Sequence, residues 1–442
     1  MNTIDVKKLL DESSIQKHHW RLFFCCLAAL SFDGYDLVVY ATTIPLLLAE
    51  WNMSPAYAGI IGSYAFGAGV FGAILGGVLG DKWGRKTTII TSVVIFTAGT
   101  FATALASDPV SFAVFRTITG LGLGMTSPNV MALISEYFPS KSKQAAVSAS
   151  ATGMQIGGIM SALAGMYLLT PYGWKSVFYF GSIVIFLVPF FYWYMPETPW
   201  ILVAKNKVQQ LRQILNTFRP DVTVPDDARF EYPQAKEKSS LANVFAENRG
   251  LSTSLFWLVY FMNMYMIFGT NTWIPTLMMN AGHEFGISLW FFLSLFLGAG
   301  IGSLVCGYLS ECFGAKRVLV ILYYGAFFSI SLLSIPMDIY STTIVTALVG
   351  ACTMGAQNVT HGYIAQYYPP AVRATMMGWG LGLGRFGGLL GPIVGGMLLS
   401  MKVTLFQNFL CFAVPGLIAG TAIALVQDKY SYTKRLTHNF RT

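Results

Sequence analysis

Long apolar stretches separated by short polar loops dominate this chain of 442 residues. Twelve such stretches lie between residues 20 and 427, and each holds the ~20 residues that a helix needs to cross ~30 Å of hydrocarbon. The stretches are continuously apolar, whereas the strands of a transmembrane barrel alternate between apolar and polar residues. The pattern therefore predicts an all-α integral membrane protein with twelve transmembrane helices.

One long polar stretch divides the twelve segments into two sets of six. The predicted organisation is an N-terminal tail (1–19), a six-helix bundle (20–195), a central loop (196–250), a second six-helix bundle (251–427) and a C-terminal tail (428–442). The central loop holds a short amphipathic helix at 207–215. The first twenty residues lack the apolar core of a signal peptide, so we expect the first segment to be an uncleaved anchor.

The two sets of six repeat in sequence at one constant offset. This register aligns Asp81 with Glu311, Glu136 with Gln366, and Gly158 with Gly388. Three matches in a single register indicate a duplicated unit. Two pseudo-symmetric six-helix bundles are the layout of transporters that alternate access around a central site.

The distribution of charge sets the expected orientation. Charged residues make up 11% of the chain and the net charge is +8, whereas soluble domains carry about 25% charged residues. The lysines and arginines all lie on one side of the predicted membrane, apart from Lys175 and Lys402 outside and Arg116 and Arg385 within segments. The positive-inside rule then places both termini and the central loop in the cytoplasm, as in a multi-pass protein of the bacterial inner membrane. The basic excess thus indicates topology and not a nucleic-acid partner.

Four charged residues lie inside the apolar segments: Asp33 and Asp36 in the first, Arg116 in the fourth and Arg385 in the eleventh. A charge at bilayer depth costs ~2.5–3.5 kcal/mol on insertion scales, so it is usually kept for function. The two aspartates are one helical turn apart and can face one cavity. We predict that they carry protons, although one of them could serve only to neutralise Arg116.

The loop after the second segment reads Gly77-Val-Leu-Gly-Asp81-Lys-Trp-Gly84-Arg85-Lys86 and resembles the signature loop of the major facilitator superfamily. The resemblance implies a gate, in which Asp81 accepts hydrogen bonds from the opposing bundle and Arg85 and Lys86 pair with acids such as Glu136. The second-half copy keeps Glu311 but has Ala315 in place of the arginine, so it should be the weaker latch. The predicted gate residues are Gly77, Asp81, Gly84, Arg85, Lys86, Glu136 and Glu311.

A finer resemblance is to the aromatic acid:proton symporters of that superfamily. It rests on Asp33-Gly34-Tyr35-Asp36, the Arg116 segment with Pro128-Asn129, Trp273-Ile-Pro275-Thr, Val372-Arg373 and Gly384-Arg385. It implies uptake of a benzoate-like or hydroxybenzoate-like acid together with protons, by a monomer in the lipid bilayer that needs no cofactor beyond the coupling proton.

An aromatic carboxylate requires a guanidinium for its carboxylate and aromatic surface for its ring. Which of the two arginines binds the carboxylate stays open at this point. His361 could instead relay protons, while His18 and His19 are expected on a solvated tail. The predicted substrate-binding residues are Arg116, Arg385, Tyr35, Asn263, Trp273, His361 and Trp379.

Other functions compatible with the sequence differ in substrate or direction. They are symport of a muconate-like dicarboxylate, nicotinate or a sugar, proton-coupled export, and substrate sensing on a transporter fold. The sequence has no phosphate-binding loop for ATP, no nucleophile motif and no metal-ligand spacing, so we expect no enzyme and no metal site.

Overall fold

The computed structural model describes residues 3–222, 225, 228–232, 244–246 and 248–432, without the side chains of 3, 370, 371 and 374. Most of the predicted tail 428–442, including His438, lies outside these residues. Twelve helical spans run through the described part, numbered 1 to 12 in this order: Lys17–Glu50, Pro55–Trp83, Arg85–Ala104, Pro109–Tyr137, Lys143–Tyr172, Lys175–Tyr194, Gly250–Asn280, Phe285–Phe313, Ala315–Leu332, Ile339–Tyr367, Pro370–Ser400 and Leu405–Leu425.

The spans have the length and composition of membrane helices. Eleven of those described are apolar enough and long enough to cross a bilayer. The remaining one, span 4, has 29 residues, about 43 Å at 1.5 Å per residue, but its sequence is more polar and includes Arg116 and Glu136. Span 5 contains a π-helical turn at Gly165–Leu169, and span 6 contains a 3-10 stretch at Ser182–Leu187. The predicted helical multi-pass membrane architecture is confirmed.

The internal repeat is visible in the packing of each half. A side chain at Gly157 of span 5 would overlap the carbonyl oxygen of Ser31 in span 1, and a side chain at Gly387 of span 11 would overlap the carbonyl oxygen of Phe261 in span 7. These positions match in the register of the repeat. Glycine is required at both because the two helix backbones come into direct contact.

A second equivalent pair stabilises the ends of spans 4 and 10. The Tyr137 hydroxyl donates to the carbonyl oxygen of Glu197, and the Tyr367 hydroxyl donates to that of Gln427 at 2.8 Å. Both tyrosines are fully buried. In each half, a tyrosine at the end of the fourth helix thus hydrogen-bonds to the backbone that follows the sixth helix.

The N-terminal tail is folded, which differs from the solvated tail expected from the sequence. Strand β1 (Thr3–Asp5) pairs in parallel with strand β2 (Arg229–Glu231) of the central loop, an addition to the predicted all-helical fold. A short helix follows at Val6–Asp11, and the loop helix is observed at Val208–Phe218. The ring of His19 is buried between Phe138 and Phe218. The expectation of a solvated His19 was wrong, because the loop helix covers it.

Packing divides the chain into two compact units. The first comprises residues 1–37, 68–161 and 172–236, and the second comprises 38–67, 162–171 and 237–442. The second unit therefore includes the adjoining ends of spans 1 and 2. There the Ser63 hydroxyl donates to the carbonyl oxygen of Leu389 at 2.7 Å, and the Ala56 amide donates to the Ser400 hydroxyl at 2.8 Å.

Candidate functional site

A buried ion pair links spans 1 and 4 in the first unit. Arg116 Nη1 lies 3.0 Å from Asp36 Oδ1, and Arg116 Nη2 donates to the Asp36 carbonyl oxygen at 2.9 Å. The Thr100 hydroxyl of span 3 donates to the other carboxylate oxygen. The side chains of Arg116 and Asp36 are 2% and 1% exposed, and the guanidinium also lies over the Phe178 ring. A single aspartate thus supplies both a charge and a backbone acceptor to the arginine.

Asp33, which is also on span 1, has a different partner on span 4. Its carboxylate accepts a hydrogen bond of 2.7 Å from the Ser127 hydroxyl, and the residue is 3% exposed. Ser127 is three helical turns from Arg116, about 16 Å along the axis of span 4. The two aspartates therefore face span 4 at separate points.

Tyr35 lies between these aspartates and anchors span 1 to span 6. Its hydroxyl donates to the Val177 carbonyl oxygen at 2.6 Å, and its side chain is fully buried beside Phe180. Its contacts here are with protein, so contact with substrate stays a prediction.

The loop between spans 2 and 3 carries a charged cluster. Arg85 Nη2 lies 2.7 Å from Asp81 Oδ1, Nη1 lies 3.2 Å from Asn129 Oδ1, and Nε lies 3.6 Å from Glu136 Oε1. The Glu136 side chain is 14% exposed, whereas that of Asp81 is 66% exposed. The structure thus brings Arg85 together with both predicted acids, within the first unit.

Glu197 is a member of this cluster that sequence reasoning missed. Its carboxylate accepts from the backbone amide of Lys86 at 3.2 Å and the Thr87 hydroxyl at 2.9 Å, at the first turn of span 3. A carboxylate there satisfies free amides and matches the positive end of the helix dipole. Gly84, in the left-handed region with φ of 107°, permits the approach, because a side chain there would overlap this carboxylate. The Pro196-Glu197-Thr-Pro199 motif after span 6 was the available signal.

Of the other predicted gate residues, Lys86 and Gly77 are half-buried. The ammonium group of Lys86 is 4.6 Å from the centroid of the Tyr192 ring. Gly77 faces open space, and Glu311 is exposed at the end of span 8. Gly314 repeats the left-handed conformation of Gly84, with φ of 88°.

In the second unit, the predicted substrate residues are dispersed over spans 7, 10 and 11. Asn263 Nδ2 donates to Gln357 Oε1 at 3.3 Å, and His361 packs beside the ring of Tyr260. Trp273 is fully buried, and its indole nitrogen donates to the Pro392 carbonyl oxygen at 2.9 Å.

The two predicted substrate residues of span 11 are accessible. Arg385 is half-buried, and Trp379 is 50% exposed with its ring 6.3 Å from that of Trp257. Trp379 thus has the accessible ring face that a substrate contact requires, whereas the fully buried Trp273 has none in this conformation.

Comparison with known proteins identifies the family. The family model described as Major Facilitator Superfamily matches residues 24–293 and 256–440. This chain belongs to the major facilitator superfamily. It is accordingly a transporter and not an enzyme. Among the described residues, no three His, Cys, Asp or Glu side chains are placed together as metal ligands.

Two relatives match nearly the whole of this major facilitator protein. The benzoate transport protein of Acinetobacter baylyi is 36% identical over 97% of this chain and 94% of its own length. The 4-hydroxybenzoate transporter PcaK of Pseudomonas putida is 30% identical over 95% of each chain. The partially occluded inward-open structure of the E. coli xylose transporter XylE covers 93% of this chain and 98% of its own, with 16% identity and a TM-score of 0.74, which shows a common fold.

Proposed function

We propose that this protein takes up an aromatic monocarboxylate, such as benzoate or a hydroxybenzoate, together with protons by alternating access. We place it in a bacterial inner membrane with both termini in the cytoplasm, as a monomer. The names of the two relatives support the substrate class, since the identity extends over almost the entire chain. The observation that carries the coupling mechanism is the buried ion pair of Asp36 and Arg116.

Proton binding to Asp36 would change the energy of this pair. Arginine is a permanent cation in proteins, so neutralising Asp36 leaves a buried cation without its partner. Breaking a buried pair in this way costs about 3–5 kcal/mol unless water or an anion compensates. Protonation of Asp36 therefore favours a rearrangement of spans 1 and 4, which is what a coupling step requires. Asp33, hydrogen-bonded to Ser127, is the second proposed proton carrier.

Arg385 is the arginine that we assign to the substrate carboxylate. Arg116 is 2% exposed, whereas Arg385 is half-buried and therefore more accessible to a ligand. A guanidinium can bind a carboxylate through two parallel hydrogen bonds. The exposed ring of Trp379, on the same span, offers aromatic surface for the substrate ring.

The charged cluster after span 2 is proposed as the cytoplasmic gate. Arg85 is held between Asp81 and Glu136, and Glu197 holds the start of span 3. A gate residue must exchange partners between conformations, and Asp81 is the member exposed enough to do so.

The test separates substrate exchange from proton-driven accumulation in proteoliposomes. In Asp36→Asn we expect exchange of labelled for unlabelled aromatic acid to continue, while accumulation driven by a pH gradient is lost. The double variant Asp36→Asn with Arg116→Gln provides a form without an unpaired buried cation. Asp108→Asn, which changes an exposed aspartate, should transport normally. Normal pH-driven accumulation in both Asp36 variants would refute the assignment.

A further inference from the structure

A cluster of polar side chains lies between spans 7 and 10 of the second unit. Tyr260 and Asn263 are one turn apart on span 7, and Gln357 and His361 are one turn apart on span 10. Asn263 Nδ2 donates to Gln357 Oε1 at 3.3 Å, and the rings of Tyr260 and His361 are 5.6 Å apart. We call these four residues the span 7–10 cluster.

The span 7–10 cluster leaves several polar atoms without partners. Within the described residues, Tyr260 Oη, Asn263 Oδ1 and His361 Nε2 make no hydrogen bond. Tyr260 and Asn263 are only 1% and 2% exposed. Buried polar atoms are nearly always paired, and an unpaired one is costly, so three in one cluster call for an explanation. A polar ligand group bound between Tyr260 Oη and Asn263 Oδ1 would pair two of these atoms.

An unpaired amide oxygen elsewhere in the chain shows what distinguishes this cluster. Asn408 Oδ1 also has no partner among the described residues, but Asn408 Nδ2 donates to the carbonyl oxygens of Val403 and Thr404 at the start of span 12. That asparagine closes a helix end. Asn263, by contrast, bonds only a side-chain amide on a neighbouring helix and has two further unpaired groups beside it.

The chemistry of the unpaired atoms selects the ligand group. Asn263 Oδ1 can only accept a hydrogen bond, so its partner must be a donor. A carboxylate has no proton to donate, and an unsubstituted benzene ring has no polar atom. A phenolic hydroxyl can donate to Asn263 Oδ1 while it accepts from Tyr260 Oη.

Aromatic side chains of spans 7 and 11 adjoin the cluster. Trp257, one turn before Tyr260, has its ring 6.3 Å from that of Trp379. The Tyr260 ring itself packs against Gly380, where a side chain would overlap it. An aromatic ring bound beside these residues would have flat apolar surface to contact.

We propose that the span 7–10 cluster binds the ring hydroxyl of a hydroxylated benzoate-type acid and gives this transporter a preference for hydroxybenzoates over benzoate. The proposal rests on the proposed function and names the substrate within its class. Tyr260 and Asn263 are the residues that determine the specificity, and Gln357 positions Asn263 through its hydrogen bond.

The experiment is equilibrium binding of 4-hydroxybenzoate, 3-hydroxybenzoate and benzoate to the full-length protein in nanodiscs. We expect at least one hydroxybenzoate to bind roughly tenfold more tightly than benzoate, since benzoate leaves the buried acceptor unpaired. Tyr260→Phe removes only the hydroxyl, and Asn263→Ala removes the amide. Each should bring the three affinities within about threefold of one another by weakening hydroxybenzoate while benzoate binding is unchanged.

The control is Asn408→Ala, which removes the comparable buried amide and should keep the wild-type preference. Equal affinities in the wild type, or an undiminished preference in Tyr260→Phe, would overturn the proposal while leaving aromatic-acid transport intact. Binding of none of the three acids to folded wild-type protein would overturn the proposed function itself, and this assignment with it.

Discussion

Removing the negative charge of the buried Asp36 should destabilise the protein more than removing an exposed charge, such as that of Asp81 in the cluster after span 2. In Asp36→Asn the 2% exposed guanidinium of Arg116 keeps the Asp36 carbonyl oxygen as an acceptor but loses its counter-charge. Breaking a buried pair costs about 3–5 kcal/mol. For a cooperative unit of roughly 200 residues this corresponds to a fall in Tm on the order of 10 °C. Adding Arg116→Gln removes the unpaired cation and should recover at least half of the loss.

The assay is thermal unfolding of the purified protein in one detergent at one pH, followed by tryptophan fluorescence. Asp81→Asn is the matched control, because it breaks the Arg85 pair on a side chain that is 66% exposed, and such pairs contribute about 0–1 kcal/mol. The reasoning is refuted if Asp36→Asn melts within about 1 °C of Asp81→Asn, or if the double variant is no more stable than Asp36→Asn alone.

Three further predictions follow from other parts of the structure. Glu197→Gln removes the charge that caps span 3 and should cost ~1 kcal/mol of stability, measured by thermal unfolding; an unchanged Tm would contradict the capping role. In a protein without its six native cysteines, crosslinking Ala56→Cys to Ser400→Cys should stop transport, and reduction should restore it; full uptake after complete crosslinking would show that transport does not require this contact to open. Hydrogen bonds from Ser111 lower the pKa of the Asp108 carboxylate, which caps the start of span 4. The ionised carboxylate therefore stabilises the fold fully above the ordinary pKa of about 3.9, and this stabilisation is lost as the pH falls through the lowered pKa. Asp108→Asn should flatten the dependence of Tm on pH below about pH 4, and a dependence identical to that of the wild type would exclude this capping role.

The sequence was sufficient to predict the helical membrane fold and its repeat, because both depend on patterns that extend over many residues. Apolar stretches of membrane length mark the spans, and the register that aligns Asp81 with Glu311 also aligns Gly157 with Gly387, which make the same helix contact in the two halves. The folded N-terminal tail was not predicted. Val6 and Leu10 are fully buried, but two apolar residues in so short a segment form no recognisable period.

The sequence pointed to the charged residues of the candidate site but not to the hydroxyl groups that bind them. Asp36, Arg116 and Asp33 are recognisable because charge is rare in apolar segments. Thr100 and Ser127 are not, since a single hydroxyl in a membrane helix carries no pattern. Which aspartate binds the arginine depends on the rotation of span 1, and composition does not specify a rotation.

The central claim is most directly tested by proton-driven uptake of labelled 4-hydroxybenzoate and benzoate into liposomes that contain the purified protein. With a pH gradient that is acidic outside, we expect accumulation above the external concentration, and its loss when a protonophore dissipates the gradient. Uptake that only equilibrates the two sides, with or without the gradient, would contradict proton coupling. No uptake of either acid by folded protein would contradict the substrate class.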